Sequence, residues 1–295
     1  MEKFQQTLTR SSLLRSSSLK NINKIVRFEN EMIRYPSLVF RALYKYLDKL
    51  DKHHHVTFMN YGYSEPGTVI PLDDMDAKNR YSVQLYHYMA EMTDLKNKDL
   101  VEVGSGRGGG LEYISRKFHP ATAIGVDLEE SAVSFSNKFH QCPNLTFNTV
   151  NAQNLPLKDN SCDTLLNVES SHRYYSIQDF LNEVHRVLRP GGYFLFTDFR
   201  DSHKWPNLMA LLNKSGFNVI HERDISSNIL HALELDSERR TSLVKRYAPR
   251  MLQKAILNFT GSKGTASYDY FLTGKFKYKS IKLQKNIGLT HLSQL

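Results

Sequence analysis

The stretch Leu100 to Gly109, L-V-E-V-G-S-G-R-G-G, decides the fold of this chain. Leu100, Val101 and Val103 form the apolar, β-prone run of a buried parallel strand. Gly104, Ser105, Gly106, Arg107 and Gly108 follow at once, and helical spacing begins near Leu111. A strand, a glycine loop and a helix bring backbone close to a nucleotide-like ligand, where side chains would block the approach. Outward from the loop the pattern repeats. Strands are expected at Ala121–Asp127, Leu145–Val150, Cys162–Val168 and Tyr193–Thr197, with helices at Leu111–Phe118, Ser131–Phe139 and Ile177–Leu188. Arg189-Pro190-Gly191-Gly192 reads as a strong breaker after the last of these. Alternation of this kind predicts an α/β chain with a doubly wound, mostly parallel, Rossmann-like seven-stranded sheet.

Two ligands suit the loop. Gly104, Gly106 and Gly109 satisfy the G-x-G-x-x-G spacing of dinucleotide folds, and Asp127 ends the next strand where a carboxylate accepts ribose hydroxyls. Glu102 separates the alternatives. An acid beside the glycines repels a pyrophosphate, but it suits a ligand that carries an ammonium and a sulfonium, which favours S-adenosylmethionine over a nicotinamide dinucleotide.

Composition sets the outer bounds. The 295 residues carry a formal charge of +9, and no apolar run approaches the length of a membrane span. Cys142 and Cys162 lack metal-type spacing and read as reduced thiols, so a cytoplasmic setting is expected. Residues 1–55 hold 11 Lys/Arg against 5 Asp/Glu, so the basic excess avoids the core and argues against nucleic acid as the partner. Residues 1–27 partly match a mitochondrial transit composition, with a basic arm as the alternative. Residues 36–50 form an amphipathic pattern suited to the core or to peripheral membrane contact. His53-His54-His55 does not place its imidazoles on one face, so no metal site is expected there.

Three domain regions are expected. Residues 1–57 form the basic arm and amphipathic helix. Residues 58–279 form the catalytic domain, with a cofactor core at 95–200 and a substrate and lid region at 201–268. Residues 280–295 form a basic tail. Helices are expected at Asn79–Met92, Ile225–Leu235 and Glu238–Phe259, a sixth strand at Phe217–His221 and a last strand at Tyr268–Tyr278. Lys275–Lys285 reads as a solvated end.

As a set, L-V-E-V-G-S-G-R-G-G, G-V-D-L, N-A-Q-N-L-P and L-R-P-G-G resemble the motifs of class I S-adenosylmethionine-dependent methyltransferases over residues 99–200. A narrower likeness covers I-P-L-D-D-M-D-A-K-N-R at 70–80, L-Y-H at 85–87, G-G-G at 108–110, F-H-P-A at 118–121 and L-N-V-E-S-S-H-R-Y at 166–174. These are similar to the phthiotriol/phenolphthiotriol dimycocerosates methyltransferases, which O-methylate a hydroxyl on a long-chain lipid. The likeness fades in the helical C-terminal third, so the lipid itself is not carried over. It implies that Glu102, Gly104, Ser105 and Gly106 hold the methionine end of the cofactor and Asp127 with Leu128 the ribose and adenine. Ala152 and Gln153 would flank the adenine, and Asn167 would lie beneath the methionine. Asn151 stands where many relatives have an Asp, and an amide oxygen still accepts from the adenine amino group.

For chemistry, His172 is the expected base for a hydroxyl acceptor, with Glu169 orienting it or acting itself. Tyr61, Tyr63, Arg173 and Tyr174 are expected to close the pocket and exclude water. The acceptor is expected to be a lipid-like or polyketide-like small molecule. Carbon methylation of a sterol or lipid type is the alternative, with a non-catalytic scaffold of the same fold as the reading from another class. Oligomeric state is not written in the sequence.

Overall fold

The computed structural model describes Asp51 and residues 56–287. These belong to the second of two compact units, 47–295, into which the chain divides. The basic arm, the amphipathic segment at 36–50 and His53–His55 lie outside the described residues.

Described elements run in chain order: α1 (Asp74–Ala77), α2 (Arg80–Ala90), β1 (Asp99–Val103), α3 (Gly109–Phe118), β2 (Thr122–Asp127), α4 (Glu130–Phe139), β3 (Leu145–Thr149), β4 (Cys162–Val168), α5 (Ile177–Val187), β5 (Leu188–Asp201), α6 (Trp205–Lys214), β6 (Phe217–Asp224), α7 (Ser226–Tyr247), α8 (Arg250–Phe259), α9 (Ala266–Leu272) and β7 (Phe276–Lys285). The seven strands order as β3-β2-β1-β4-β5-β7-β6, and only β7 runs antiparallel to its neighbours. The doubly wound sheet is therefore as expected. Strand order reverses between β1 and β4, which opens a crevice at their C-terminal ends.

Both faces of the sheet are covered, so its central strands read as nearly continuous apolar runs. Leu100, Leu166 and Leu195 pack on one face with Leu85 and Met89 of α2 and Leu111 of α3. Val101, Val103, Leu165 and Phe194 pack on the other with Phe180 of α5 and Leu212 of α6. Alternation along β1 puts Glu102 on the Leu100 face, under α2.

The triple glycine that opens α3 is a packing requirement. Gly108 takes φ +78° as the helix cap. A Cβ on Gly109 would lie 2.8 Å from the Thr57 carbonyl, and one on Gly110 only 2.0 Å from the Tyr86 ring. Segment 57–58 and helix α2 thus reach the glycine loop only because these side chains are missing.

Three element expectations are corrected. Arg189–Gly192 ends the helix but lies within β5, as an irregularity between the pairs Cys162–Leu188 and Thr164–Tyr193. Helix α7 runs unbroken through 235–238, because Asp236 lies within it and bonds Arg239 and Arg240 at 2.6 and 2.8 Å. The chain breaks instead at Ala248-Pro249. The alternation at 268–278 begins as helix α9, and the strand follows at Phe276–Lys285, across the boundary expected at 279/280. Its lysines disguise it. Lys285 is buried, with Nζ donating to Asn160 Oδ1 at 2.8 Å and to the Leu188 carbonyl at 2.7 Å. Among the described residues, no helix is long and apolar enough to cross a membrane.

Candidate active site

The glycine loop is held from β2. Gly104 and Ser105 donate their N–H groups to the Val126 carbonyl at 2.7 and 3.1 Å. Gly106 N–H donates to Asp127 Oδ2 at 2.8 Å, and Glu129 N–H to Asp127 Oδ1 at 2.9 Å. Asp127 is therefore fixed by backbone donors from two loops, and each oxygen keeps acceptor capacity toward the crevice. Burial raises its pKa, against the pull of those donors. Gly104 takes φ +82°, and a Cβ there would lie 2.0 Å from Ser170 Oγ, so Ser170 and Tyr174 of the β4 edge pack against the loop only because that side chain is missing.

Three polar atoms around this loop are buried without a hydrogen-bond partner among the described residues: Glu102 Oε2, Ser105 Oγ and Asn167 Oδ1. Buried polar groups are normally satisfied. A nucleoside ligand with an amino-acid end supplies donors for such acceptors, so these residues fit S-adenosylmethionine. Glu102 is fully buried; burial pushes its carboxyl up to about 8, a hydrogen bond from Tyr86 pulls it down, and Asp127 adds repulsion.

At the ends of β2 and β3, Leu128 is 63% exposed, an apolar side chain left open on the crevice edge. Asn151 turns Oδ1 back onto the Gln153 N–H at 3.0 Å, which holds the loop and leaves one lone pair of that oxygen for another donor. Ala152 is buried beneath it.

The β4 edge carries the reactive groups. Asn167 Nδ2 donates to the Val103 carbonyl at 2.7 Å and to Ser170 Oγ and Tyr174 OH, each at 3.0 Å, which ties the β4 edge to β1. His172 lies in a short 3-10 turn, Ser171–Arg173, below the tip of β5. Its Nδ1 lies 2.7 Å from Asp198 Oδ1. Asp198 is fully buried and also accepts from Ser171 Oγ at 2.6 Å, His172 N at 3.0 Å and Phe199 N at 2.8 Å, with Arg200 at 3.6 Å. Burial opposes its ionisation, but His172, Arg200 and Ser171 together hold the carboxyl well below its usual range. An ionised Asp198 fixes the proton on Nδ1, which leaves the Nε2 lone pair to accept a hydrogen bond from Arg173 Nε at 3.2 Å. Burial lowers the His172 pKa and the Asp198 charge raises it, with burial prevailing, so the imidazole is neutral at pH 7.

Asp198, not Glu169, is thus the group that orients His172. Glu169 sits at φ +46°, a left-handed conformation that non-glycine residues rarely adopt. One carboxyl oxygen accepts both the Tyr61 N–H and the Tyr278 hydroxyl, each at 2.8 Å. The two tyrosines of the Tyr61-Gly62-Tyr63 segment separate at Gly62, φ +81°. Tyr61 packs edge-on to Phe199 and Phe271 at 5.1 and 5.2 Å, and its carbonyl accepts from the buried Arg240 at 3.0 Å. Tyr63 has other partners. It stacks on Tyr88 at 4.5 Å and bonds Glu65. Arg173 sits 5.6 Å from the Phe259 ring at the end of α8. Asp198, Tyr86, Tyr278 and Arg240 carry no sequence signal for these contacts, since each meets its partner from an element distant along the chain.

Strand order, glycine loop and paired acids define the class I methyltransferase architecture. The methyltransferase-domain family matches residues 101–196. A fatty-acid O-methyltransferase of Mycolicibacterium smegmatis is 40% identical over 220 residues, 74% of this chain and 80% of that protein. A phthiotriol/phenolphthiotriol dimycocerosates methyltransferase of Mycobacterium tuberculosis is 36% identical over 242 residues, 82% of this chain and 90% of that protein. Among solved structures, a Streptomyces coelicolor geranyl diphosphate C-methyltransferase with bound S-adenosyl-L-homocysteine superposes with a TM-score of 0.58 at 15% identity, over 81% of this chain and 98% of that one. The chain belongs to the S-adenosylmethionine-dependent methyltransferases, in the family of the phthiotriol/phenolphthiotriol dimycocerosates enzymes.

Proposed function

We propose that this enzyme transfers a methyl group to an oxygen of a lipid-like acceptor, and that the oxygen is a hydroxyl. The His172–Asp198 pair carries the reading. S-adenosylmethionine supplies the electrophilic methyl and its own leaving group, so the protein contributes orientation and proton handling. Glu102, Gly104, Ser105, Gly106 and Asn167 would hold the methionine end, Asp127 the ribose, and Leu128, Asn151, Ala152 and Gln153 the adenine. A hydroxyl must lose its proton as it attacks, and Nε2 of a neutral, carboxylate-anchored imidazole is suited to take it once the acceptor hydroxyl replaces Arg173 Nε as its donor. Arg173, Tyr61 and Tyr174 would enclose the acceptor. The lipid character rests on the names of the two relatives.

One observation favours a second reading. Arg173 stands against Nε2, and a guanidinium recognises a carboxylate; an ionised fatty acid needs no base. Labelled-methyl transfer to a long-chain alcohol and to the matching fatty acid, with wild type and His172→Gln, separates the two. A hydroxyl enzyme methylates the alcohol and loses about 10²–10⁴-fold in the variant. Transfer to the fatty acid alone, unchanged by His172→Gln, sinks the hydroxyl reading.

A further inference from the structure

The buried phenol of Tyr86 has no part in the mechanism above, yet it reaches the acid at the head of the cofactor loop. Tyr86 OH donates to Glu102 Oε1 at 2.8 Å from helix α2, leaving Oε2 buried with no partner among the described residues. The ring is locked in place. Phe58 meets it edge-on at 6.0 Å, and the missing side chain of Gly110 is the space it occupies, 2.0 Å from where a Cβ would sit. A larger residue at 110 would push the phenol off Glu102. The G-G-G run thus does two jobs: Gly108 caps the helix, and Gly110 admits Tyr86.

We propose that Tyr86 is a positioning residue of the cofactor site, which fixes one oxygen of Glu102 and aims the second at the α-ammonium of the cofactor. The inference rests on the cofactor assignment and is independent of the acceptor. A carboxylate with one oxygen engaged by a hydroxyl offers the other in a fixed direction, and charge-assisted hydrogen bonds are the stronger and more directional kind. The ionisable groups that act on Glu102 are Tyr86 from α2, which favours its charged form, and Asp127 from β2, which opposes it. Burial also opposes ionisation and brings the free carboxyl up to about 8, so an arriving ammonium drives a proton off Glu102 near neutral pH. Loss of the phenol moves that ionisation to higher pH and weakens any ligand that carries the ammonium.

Calorimetric titration with two probes tests this. S-adenosylhomocysteine carries the ammonium; 5′-methylthioadenosine has the same nucleoside thioether without the amino-acid end. Tyr86→Phe, which keeps the ring, is expected to lose about tenfold or more in affinity for the first at pH 7 and to bind the second as wild type does. Affinity for the first should rise with pH in both proteins, later in the variant. Glu102→Gln should remove that pH dependence, and adding Tyr86→Phe to it should cost nothing further. Equal losses for both probes would mark Tyr86 as a packing residue and overturn the proposal, as would unchanged affinity for S-adenosylhomocysteine. Wild-type protein that binds neither probe would overturn the cofactor assignment, and this inference with it.

Discussion

Glu169 supplies the sharpest test of the site's electrostatics, through Glu169→Gln. Its carboxyl lies against Tyr61 and Tyr278 with Asp198 nearby, and burial first, then the Asp198 charge, raise its pKa from 4.5 to about 8 against the hydrogen bonds that favour the anion. A carboxyl whose pKa is higher folded than unfolded contributes stability that is fully present below the unfolded value. That stability is lost as pH rises through the folded value. Across the interval from 4.5 to about 8, about 1.4 kcal/mol per pH unit sets a ceiling of about 5 kcal/mol. Glu169 retains partial solvent contact, so roughly half, ~2 kcal/mol, is the expected size. Glutamine keeps an oxygen to accept from the Tyr61 N–H and the Tyr278 hydroxyl but does not ionise. Denaturant melts of both proteins at pH 5, 6.5 and 8.5 should show similar stability at the lowest pH and a ~2 kcal/mol advantage for the variant at the highest. Contributions from groups such as His172 are common to both proteins and largely cancel in the difference. A constant difference across pH, or one that favours wild type at pH 8.5, would refute the reasoning.

Two further predictions concern the loop. Arg107 and Asp51 form an ion pair at 3.4 Å with both side chains fully buried, and the guanidinium lies 3.6 Å over Phe135; Arg107→Ala should cost about 3–5 kcal/mol in a urea melt, and the double variant with Asp51→Ala should recover part of it, whereas additive losses would show that the pair is not coupled. Asp127→Ala leaves the Gly106 and Glu129 N–H groups without their carboxylate acceptor, so binding of S-adenosylmethionine should weaken by about tenfold or more, and unchanged calorimetric affinity would remove Asp127 from the ribose site.

What the sequence disclosed and what it hid divide on a physical line. The glycine loop and the positions of Asp127 and the His172 turn were legible because each is a local event at a strand end, where backbone conformation and a few neighbours fix the placement. Asp198 was visible only as the tip of a strand. Its pairing with His172, 26 positions away, depends on β5 lying beside β4, which is a property of sheet order. Strand β7 was misplaced because its lysines suggest a solvated tail; in the fold Lys285 turns its ammonium to a carbonyl and an amide, and Lys282 sits 4.1 Å over the Tyr193 ring with Nζ on the Met92 carbonyl. Adjacency does not show that Tyr61 and Tyr63 take different partners, Glu169 for the backbone of one and Glu65 for the hydroxyl of the other, on either side of a left-handed glycine. The G-G-G run is the instructive exception. Three consecutive glycines at a helix start exceed what a phosphate-type loop requires, and the excess records a tertiary constraint, since Gly109 and Gly110 give way to Thr57 and Tyr86. Where a motif contains more glycine than its backbone geometry needs, the surplus marks a side chain arriving from elsewhere, and here that side chain reaches Glu102 at the cofactor site.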